Sequence, residues 1–197
     1  RYSGAEAALA AFAQKRGIPL SETIAGKGTV AHDHPAYVGP IGIVGSTSAN
    51  ALAAEADVIV AIGTRLMDFT TGSWTLFASD SRFISINAAR WDANKHRALA
   101  VVGDARESVE ELAAALKGWK ADSAWTKKAK SLMADWNAAL DGYQKPTNAP
   151  VPTYAQVVGV VNRKAEPRDY MLTAAGGLPG ETMKNWRCKT TNSYDLE

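Results

Sequence analysis

Apolar residues along the chain alternate between the spacing of a helix and the spacing of a strand. Near the amino end, Ala5, Leu9 and Phe12 recur three to four positions apart, which predicts a helix that begins at about Ser3. Gly17 supplies the glycine that commonly ends a helix. The next segment, IPLSETI, predicts a short strand, and a long loop rich in glycine, histidine and proline is expected over residues 25–45.

Three apolar runs follow between residues 57 and 103, namely DVIVAIG, RFISINA and ALAVVG. The first run is apolar at nearly every position, which is typical of a strand buried on both faces of a parallel sheet. A helix of small residues is expected from Ser46, before the first run. Asp104 and Glu107 have capping-box spacing at the start of a helix after the third run. This alternation predicts an α/β protein with a Rossmann-like parallel sheet and helices on both faces.

A proline-rich segment divides the chain. A helix predicted over about residues 123–142 is followed by YQKPTNAPVP, residues 143–152, in which three prolines break the helical pattern. We interpret this segment as a linker between a central Rossmann-like domain, residues 1–142, and a second α/β unit, residues 153–197.

The second unit repeats the pattern of the first in a shorter form. Thr153 and Gln156 predict a capping box for the helix YAQVVGVVNRK, and DYMLTAAG predicts a strand that ends in glycines. One helix and one strand cannot bury their apolar faces without further strands. We therefore expect the unit to be the truncated start of a domain. Its residues should be disordered, or should pack on the central domain or on a neighbouring molecule.

Composition narrows the class of protein. Hydrophobic residues make up 46% of the 197 positions and charged residues 21%, which is ordinary for a soluble globular protein. The 22 basic and 20 acidic residues are interspersed, so neither nucleic-acid binding nor membrane binding is predicted. Cys188 is the only cysteine, which excludes an internal disulfide and fits a cytoplasmic location. The start at Arg1, with no methionine and no leading strand, suggests a piece of a longer polypeptide.

The glycine- and histidine-rich loop contains two motifs that resemble ligand sites. GKGTVA, residues 26–31, matches a dinucleotide fingerprint, but prolines follow where the fingerprint requires a helix. His32 and His34 alternate as a metal pair could, but a zinc site needs further ligands. No serine has the setting of a nucleophile. We therefore assign no catalytic residue and no metal site in this chain.

Two glycine turns after predicted strands are stronger candidates for binding. Gly63, Thr64 and Arg65 follow DVIVAIG, at the strand end where α/β sheets bind ligands. Arg65 could meet a phosphate or form a structural ion pair, and both alternatives stay open. At the position where nucleotide folds often place a ribose-binding acid, this chain has the uncharged Asn87, which disfavours a ribose site.

The second turn lies in TAAGGLPGE, near the end of the chain. Gly176 and Gly177 follow an apolar run and precede a predicted helix, which begins after Leu178. Glycines let a backbone approach a phosphate closely, and the first amides of a helix can bind an anion. This turn is therefore a candidate phosphate site.

The motifs together resemble a known family. The stretch from ETIAGKG to TRLMDF resembles the central domain of thiamine-diphosphate enzymes, in which G-x-G, D-H-P, G-x-x-G and G-x-R-x-x-D/N occur in this order. The segment with AAGGLPGETMKNWR and YDLE resembles the start of the diphosphate-binding domain in the trihydroxycyclohexanedione hydrolase branch. Acetolactate synthases typically have a Gly-Gln-His turn where this chain has Gly176, Gly177 and Leu178, which favours the hydrolase branch.

The resemblance implies a parent enzyme that opens the ring of a cyclic dione by carbon–carbon cleavage in myo-inositol catabolism. It implies thiamine diphosphate and magnesium as cofactors and a homo-oligomer as the assembly. Gly176, Gly177 and Leu178 would form one wall of the diphosphate pocket. The family's activating glutamate and its magnesium motif would lie outside these residues, so this chain alone should bind no cofactor and be inactive. GDA, residues 103–105, imitates the start of the magnesium motif, but the capping role of Asp104 explains it.

Two alternative functions stay open. One is another thiamine-diphosphate branch, similar to acetolactate synthase or to oxalyl-CoA decarboxylase. The other is a nucleotide-binding module that holds FAD, NAD or ADP at Gly63, Thr64 and Arg65.

Overall fold

The computed structural model describes residues 2–174 and 176–196. The helices are α1 (Glu6–Arg16), α2 (Thr47–Glu55), α3 (Asp68–Thr71), α4 (Arg90–Ala93), α5 (Ala105–Ala115), α6 (Ser123–Tyr143), α7 (Tyr154–Lys164) and α8 (Leu178–Asn185). The strands are β1 (Leu20–Glu22), β2 (Tyr37–Pro40), β3 (Val58–Ile62), β4 (Arg82–Asn87), β5 (Leu99–Val102), β6 (Met171–Thr173) and β7 (Tyr194–Leu196). None of the helices in the described ranges has the length and apolarity needed to cross a bilayer.

All the strand pairs described are parallel, which confirms the predicted α/β class. β1 pairs with β2, β6 pairs with β7, and β3, β4 and β5 form a sheet in that order. β2 lies within the stretch that the sequence assigned to a loop. The prediction was wrong there because Gly39 and Pro40 are poor strand formers, and this strand is defined by burial of all four of its residues.

The prediction that the DVIVAIG strand is buried on both faces is also wrong. Of the residues of β3, only Ala61 is buried, and Val58 is 37% exposed. β3 pairs with β4 on one edge, and no described strand occupies its other edge. The apolar run predicted the strand correctly, but its burial depends on a neighbour that the run does not encode.

The long helix α6 covers the layer formed by β1 and β2. Its Met133, Trp136 and Leu140 pack in one buried cluster with Ala13 of α1 and Leu20 of β1. A second cluster joins the other part of α6 to β2 and α2; its buried members are Val38, Ala49, Leu52 and Ala129. These two clusters fix the helices before and after β1 and β2, and so they position the loops at the strand ends.

The C-terminal segment, residues 153–174 and 176–196, packs on the glycine-rich loop that follows β1. Tyr194 is fully buried in a cluster with Val158, Trp186 and Cys188. The amide of His32 donates to the carbonyl of Cys188 at 2.8 Å, and the amide of Asn192 donates to a carbonyl of the same loop at 2.6 Å. The sequence left three alternatives for this segment: disorder, packing on the central domain, or packing on a neighbouring molecule. In the structure, the segment packs on the residues assigned to the central domain.

The connection between α6 and α7 is exposed after its first residue. Gln144 is buried and donates from its side-chain amide to the carbonyl of Asn185 at 2.7 Å. Residues 145–152 are all exposed. The capping box of Thr153 and Gln156 is present at the start of α7, as the sequence predicted. The domain boundary in this connection stays a prediction.

Candidate functional site

The turn after β3 has an open backbone. Gly63 has a φ of 63°, a left-handed conformation that favours glycine, and a Cβ placed there would meet nothing within 4 Å. The amide of Gly63 continues the ladder by donating to the carbonyl of Ile86 at 2.8 Å. The hydroxyl of Thr64 accepts from the amide of Leu66 at 3.2 Å, so the turn is held by its own local contacts. A ligand could approach this backbone closely.

Asn87 joins the turn after β3 to the turn after β4. Its side-chain amide donates to the carbonyl of Thr64 at 3.1 Å, and its side-chain oxygen accepts from the amide of Ala89 at 2.9 Å. The residue is only 9% exposed. Asn87 is therefore a structural tie between two loops rather than a group that faces solvent.

Arg65 lies at the edge of a surface ion cluster. Its side chain is 73% exposed, and its Nε lies 4.0 Å from a carboxylate oxygen of Asp92. Lys95 lies closer to Asp92, at 2.7 Å, and donates to the carbonyl of Arg65 at 3.3 Å. The ion-pair alternative is thus present, but exposed pairs of this kind contribute little to stability. Most of the guanidinium remains accessible.

The turn between β6 and α8 is also open to solvent. Gly176 has a φ of 131°, and a Cβ on either Gly176 or Gly177 would meet nothing within 4 Å. Gly177 is the N-cap of α8, where no side chain caps the helix, and Leu178 is the first helical residue. Pro179 has no amide, and the amides of Leu178 and Gly180 have no side-chain acceptor among the described residues. Such a helix start is suited to an anion.

The hydroxyl of Tyr194 contacts residues on both sides of this turn. This hydroxyl lies 3.2 Å from the hydroxyl of Thr173, at the end of β6, and 3.2 Å from that of Thr182, in α8. The two threonines flank the glycine turn on either side. Sequence reasoning missed Tyr194, because its contacts join residues that are far apart along the chain; the YDLE motif was its only signal.

The start of α8 also lies against the loop after β2. A Cβ on Gly180 would lie 3.0 Å from a methyl carbon of Val44, so this glycine allows the close packing. The amide of Ile43 in turn donates to the carbonyl of Phe69 at 2.9 Å, which connects the loop to the segment after β3. Among the described residues, however, no hydrogen bond or ion pair joins the Gly63 turn directly to the Gly176 turn.

The GKGTVA loop folds inward. Lys27 is 2% exposed, with its ammonium 5.9 Å from the centre of the Tyr194 ring. Glu22 accepts from the amide of Val30 at 3.0 Å, and burial raises the pKa of the Glu22 carboxyl although the charge of Lys27 opposes the rise. No helix begins in this loop. It therefore lacks the geometry of a dinucleotide turn and holds the C-terminal segment instead.

The two loop histidines have separate local contacts. The Nε2 of His32 lies 2.9 Å from the side-chain oxygen of Asn137, and burial lowers the pKa of His32 to about 4. The Nδ1 of His34 accepts from the amide of Ala36 at 3.3 Å. Within the described ranges, no three His, Cys, Asp or Glu side chains form a group that could hold a metal ion. Asp104 caps α5, as predicted, by accepting from two amides of its first turn.

Comparison with known proteins identifies the family. The family description "Thiamine pyrophosphate enzyme, central domain" matches residues 1–112. The chain belongs to this family. The Gly63 turn lies within the matched residues, whereas Gly176, Gly177 and Leu178 lie beyond them.

Curated relatives match the whole length of this chain. Enzymes named 3D-(3,5/4)-trihydroxycyclohexane-1,2-dione hydrolase are 34% identical in Geobacillus thermodenitrificans and 30% identical in Clostridium botulinum. The enzyme of that name in Clostridium perfringens is 31% identical. The chain spans only 34–35% of the length of these relatives.

The residues at the start of α8 fit one side of a thiamine pyrophosphate site. A diphosphate needs close approach by the backbone and hydrogen-bond donors that face it. The space around Gly176 and Gly177 meets the first need, and the uncapped first turn of α8 meets the second.

Proposed function

We propose that the chain is part of a thiamine-diphosphate-dependent hydrolase that opens the ring of trihydroxycyclohexane-1,2-dione in myo-inositol catabolism. The reaction is the hydrolysis of a carbon–carbon bond of the cyclic dione. The observation that carries the proposal is similarity over all 197 residues, at 30–34% identity, to enzymes that bear this name. The chain aligns with about a third of each relative, so the activity belongs to a longer polypeptide.

Within that polypeptide, Gly176, Gly177 and Leu178 form one wall of the diphosphate pocket. The glycines leave room for phosphate oxygens, and the amides of Leu178 and Gly180 at the start of α8 donate hydrogen bonds to them. The Tyr194 hydroxyl keeps the turn in place through Thr173 and Thr182. Thiamine diphosphate, when bound, supplies the electron sink for breaking the carbon–carbon bond.

The other parts of the site lie outside these residues. Magnesium, which we propose as the second cofactor, would bind the diphosphate through ligands elsewhere in the polypeptide. The 197 residues alone would then be inactive and would not hold the cofactor. We place the enzyme in the cytoplasm as a homo-oligomer.

One observation supports a second role for the central domain. Gly63 is open at the carboxyl end of β3, and the Arg65 side chain beside it is 73% exposed. A nucleotide such as FAD, NAD or ADP could bind there by its phosphates. Calorimetric titration of the chain with each nucleotide tests this role, and the absence of saturable heat with all three would exclude it.

The main proposal is tested on the polypeptide encoded by the open reading frame that contains these residues. Purified protein is incubated with the cyclic dione, magnesium and thiamine diphosphate, and the product is identified by mass spectrometry. The expected product is an open-chain acid, one water heavier than the substrate, and it should not form without thiamine diphosphate. Formation of no such acid, in a protein that binds the cofactor, would contradict the substrate assignment.

A further inference from the structure

The GKGTVA loop carries a buried ammonium. Lys27, between Gly26 and Gly28, is only 2% exposed, although lysine is one of the residue types that are least often buried. A charge in the interior destabilises the fold unless an opposite charge or hydrogen bonds compensate it. The interior position of Lys27 therefore needs a physical reason, and its neighbours supply one.

Glu22, the last residue of β1, supplies the opposite charge. Its carboxyl is 4% exposed; burial raises the pKa of this group, and the charge of Lys27 opposes the rise. The same carboxyl accepts from the amide of Val30, on the far side of the loop, at 3.0 Å. Glu22 therefore fixes the loop to the end of β1 and balances the charge of its ammonium.

A second neighbour of the Lys27 ammonium is the ring of Tyr194, in β7. The ammonium lies 5.9 Å from the centre of the ring, within the range of a cation–π contact, and Tyr194 has no solvent exposure. Such a contact is stronger in the interior than at the surface, because water screens it less. Lys27 therefore attracts a ring that comes from the opposite end of the chain.

Gly28 brings the backbone of the loop against β7. Its φ is 83°, and a Cβ there would lie 3.4 Å from both the Cβ and the amide nitrogen of Tyr194. The amide of Asn192 donates to the Gly28 carbonyl at 2.6 Å. The loop that carries Lys27 is thus in direct contact with the residue on which the ammonium acts.

From Tyr194 the contacts continue to the glycine turn. The Tyr194 hydroxyl bonds to the hydroxyls of Thr173, before the turn, and Thr182, after it. Thr182 is 2% exposed, and its hydroxyl donates to the carbonyl of Pro179, in the first turn of α8, at 3.0 Å. A displacement of the Tyr194 ring would therefore move both threonines and, with them, the start of α8.

We propose that Lys27 is a positioning residue for the diphosphate turn: its ammonium, balanced by Glu22, holds the Tyr194 ring, and the Tyr194 hydroxyl holds both flanks of the turn. The loop does not bind a dinucleotide; it sets the affinity of a diphosphate site that the C-terminal segment forms. The inference rests on the proposed function, because it requires that the turn at Gly176 and Gly177 contacts the diphosphate.

The test uses the longer polypeptide that contains these residues. Lys27→Met alone would leave the Glu22 carboxylate buried without its opposite charge, which destabilises a fold. The test variant is therefore the neutral pair Glu22→Gln with Lys27→Met, in which the glutamine can still accept from the Val30 amide. Lys120→Met, at an exposed lysine, is the control. Calorimetry measures the Kd of thiamine diphosphate with magnesium, and competition measures the Kd of magnesium pyrophosphate.

Both Kd values should rise at least about fivefold in the neutral pair, the scale of one cation–π contact, and should stay within about twofold in Lys120→Met. At saturating cofactor, kcat and KM for the substrate that the polypeptide accepts should stay within about twofold, because the pair acts only through the diphosphate turn. An equal fall in kcat at saturating cofactor would indicate a general distortion of the site and would overturn the proposal.

The outcomes separate this inference from the proposed function. Cofactor binding by the unmodified polypeptide, with equally tight binding by the neutral pair, would overturn the inference alone and would reduce Lys27 to a charge that compensates Glu22. No cofactor binding by the unmodified polypeptide would overturn both. If the neutral pair does not fold, Glu22→Gln with Lys27→Gln gives the same comparison, since two side-chain amides can bond to each other.

A double-mutant cycle tests the route through Tyr194. Tyr194→Phe removes the hydroxyl contacts with both threonines, keeps the ring, and should raise the Kd of thiamine diphosphate. If Lys27 acts through that hydroxyl, the neutral pair combined with Tyr194→Phe should raise the Kd no further than Tyr194→Phe alone. Increases in Kd that multiply would show that Lys27 acts by another route and would overturn the proposal.

Discussion

At the residue scale, the Tyr194 hydroxyl connects the two sides of the candidate diphosphate turn. Tyr194→Phe removes its contacts with Thr173 and Thr182 and keeps the buried ring. We expect the free energy of unfolding to fall by about 1 kcal/mol, the usual net value of a buried hydrogen bond. Urea unfolding measures the change. Tyr143→Phe, at a side chain that is 60% exposed, is the control, and equal stability of the two variants would contradict the role of Tyr194.

His32 gives a second residue-scale prediction. Burial lowers its pKa from 6.5 to about 4, so the unfolded chain takes up a proton at higher pH than the folded chain. Stability contributed by neutral His32 is present above pH 6.5 and is lost as the pH falls towards 4. At 1.36 kcal/mol per pKa unit, the loss is about 3 kcal/mol.

The His32→Gln variant tests this pH dependence. Glutamine does not titrate and can still bond to Asn137, so the difference in unfolding free energy between pH 7 and pH 4.5 should shrink. His96→Gln changes an exposed ring and should keep most of the difference. An unchanged pH dependence in His32→Gln would show that His32 titrates normally.

Residue roles could be predicted where they depend on near neighbours in the sequence. The caps formed by Asp104 and by Thr153 with Gln156 follow from spacing over three residues, and the structure has both. The roles of Tyr194 and Lys27 depend on packing between the two ends of the chain. No local pattern encodes such packing, so the sequence could not predict them.

At the scale of elements, the start of α8 makes the most specific prediction about the cofactor. Gly177 has a φ of −73°, which any residue adopts, and a Cβ there meets nothing within 4 Å. In the longer polypeptide, Gly177→Val should therefore fold normally while its side chain blocks the diphosphate. We expect a rise of at least about tenfold in the Kd of thiamine diphosphate, or about 1.4 kcal/mol.

Gly142→Val is the matched control for the start of α8. Gly142 also has open space around its Cα, but it lies at the end of α6, away from the glycine turn. Calorimetric titration with thiamine diphosphate and magnesium compares the two variants. Equal affinities of the two variants for thiamine diphosphate would show that Gly177 does not form part of the pocket wall.

The connection between α6 and α7 predicts a proteolysis pattern. Residues 145–152 are exposed and should be cut by a broad-specificity protease before any strand is cut, because exposed linkers carry few contacts. The two pieces should still elute together in gel filtration, since Tyr194 and Cys188 are buried against the glycine-rich loop. First cleavage within β3 would contradict the boundary, and separation of the pieces would contradict the packing.

Elements could be predicted from their own residues, but their surroundings could not. The runs for β3, β4 and β5 have strong strand signals, and all three strands are present. β2 was missed because Gly39 and Pro40 weaken its signal, although α6 and α2 bury it. The burial of β3 was misjudged because it depends on a strand beside it.

At the scale of the whole molecule, the chain has a recognisable fold and spans about a third of the length of its curated relatives. The central region belongs to the thiamine pyrophosphate enzyme family, and the C-terminal segment carries an open helix start that suits a phosphate. The two regions are held together by a buried cluster around Tyr194.

The most direct test of the proposed function is a comparison of substrates. The polypeptide containing these residues is supplied with thiamine diphosphate and magnesium, and kcat/KM is measured for the trihydroxycyclohexanedione, for pyruvate and for oxalyl-CoA. We predict that kcat/KM for the cyclic dione exceeds the other two values by at least about a hundredfold, a difference of about 2.7 kcal/mol in transition-state stabilisation. A higher kcat/KM for pyruvate or oxalyl-CoA would contradict the account and would assign the enzyme to another branch of the family.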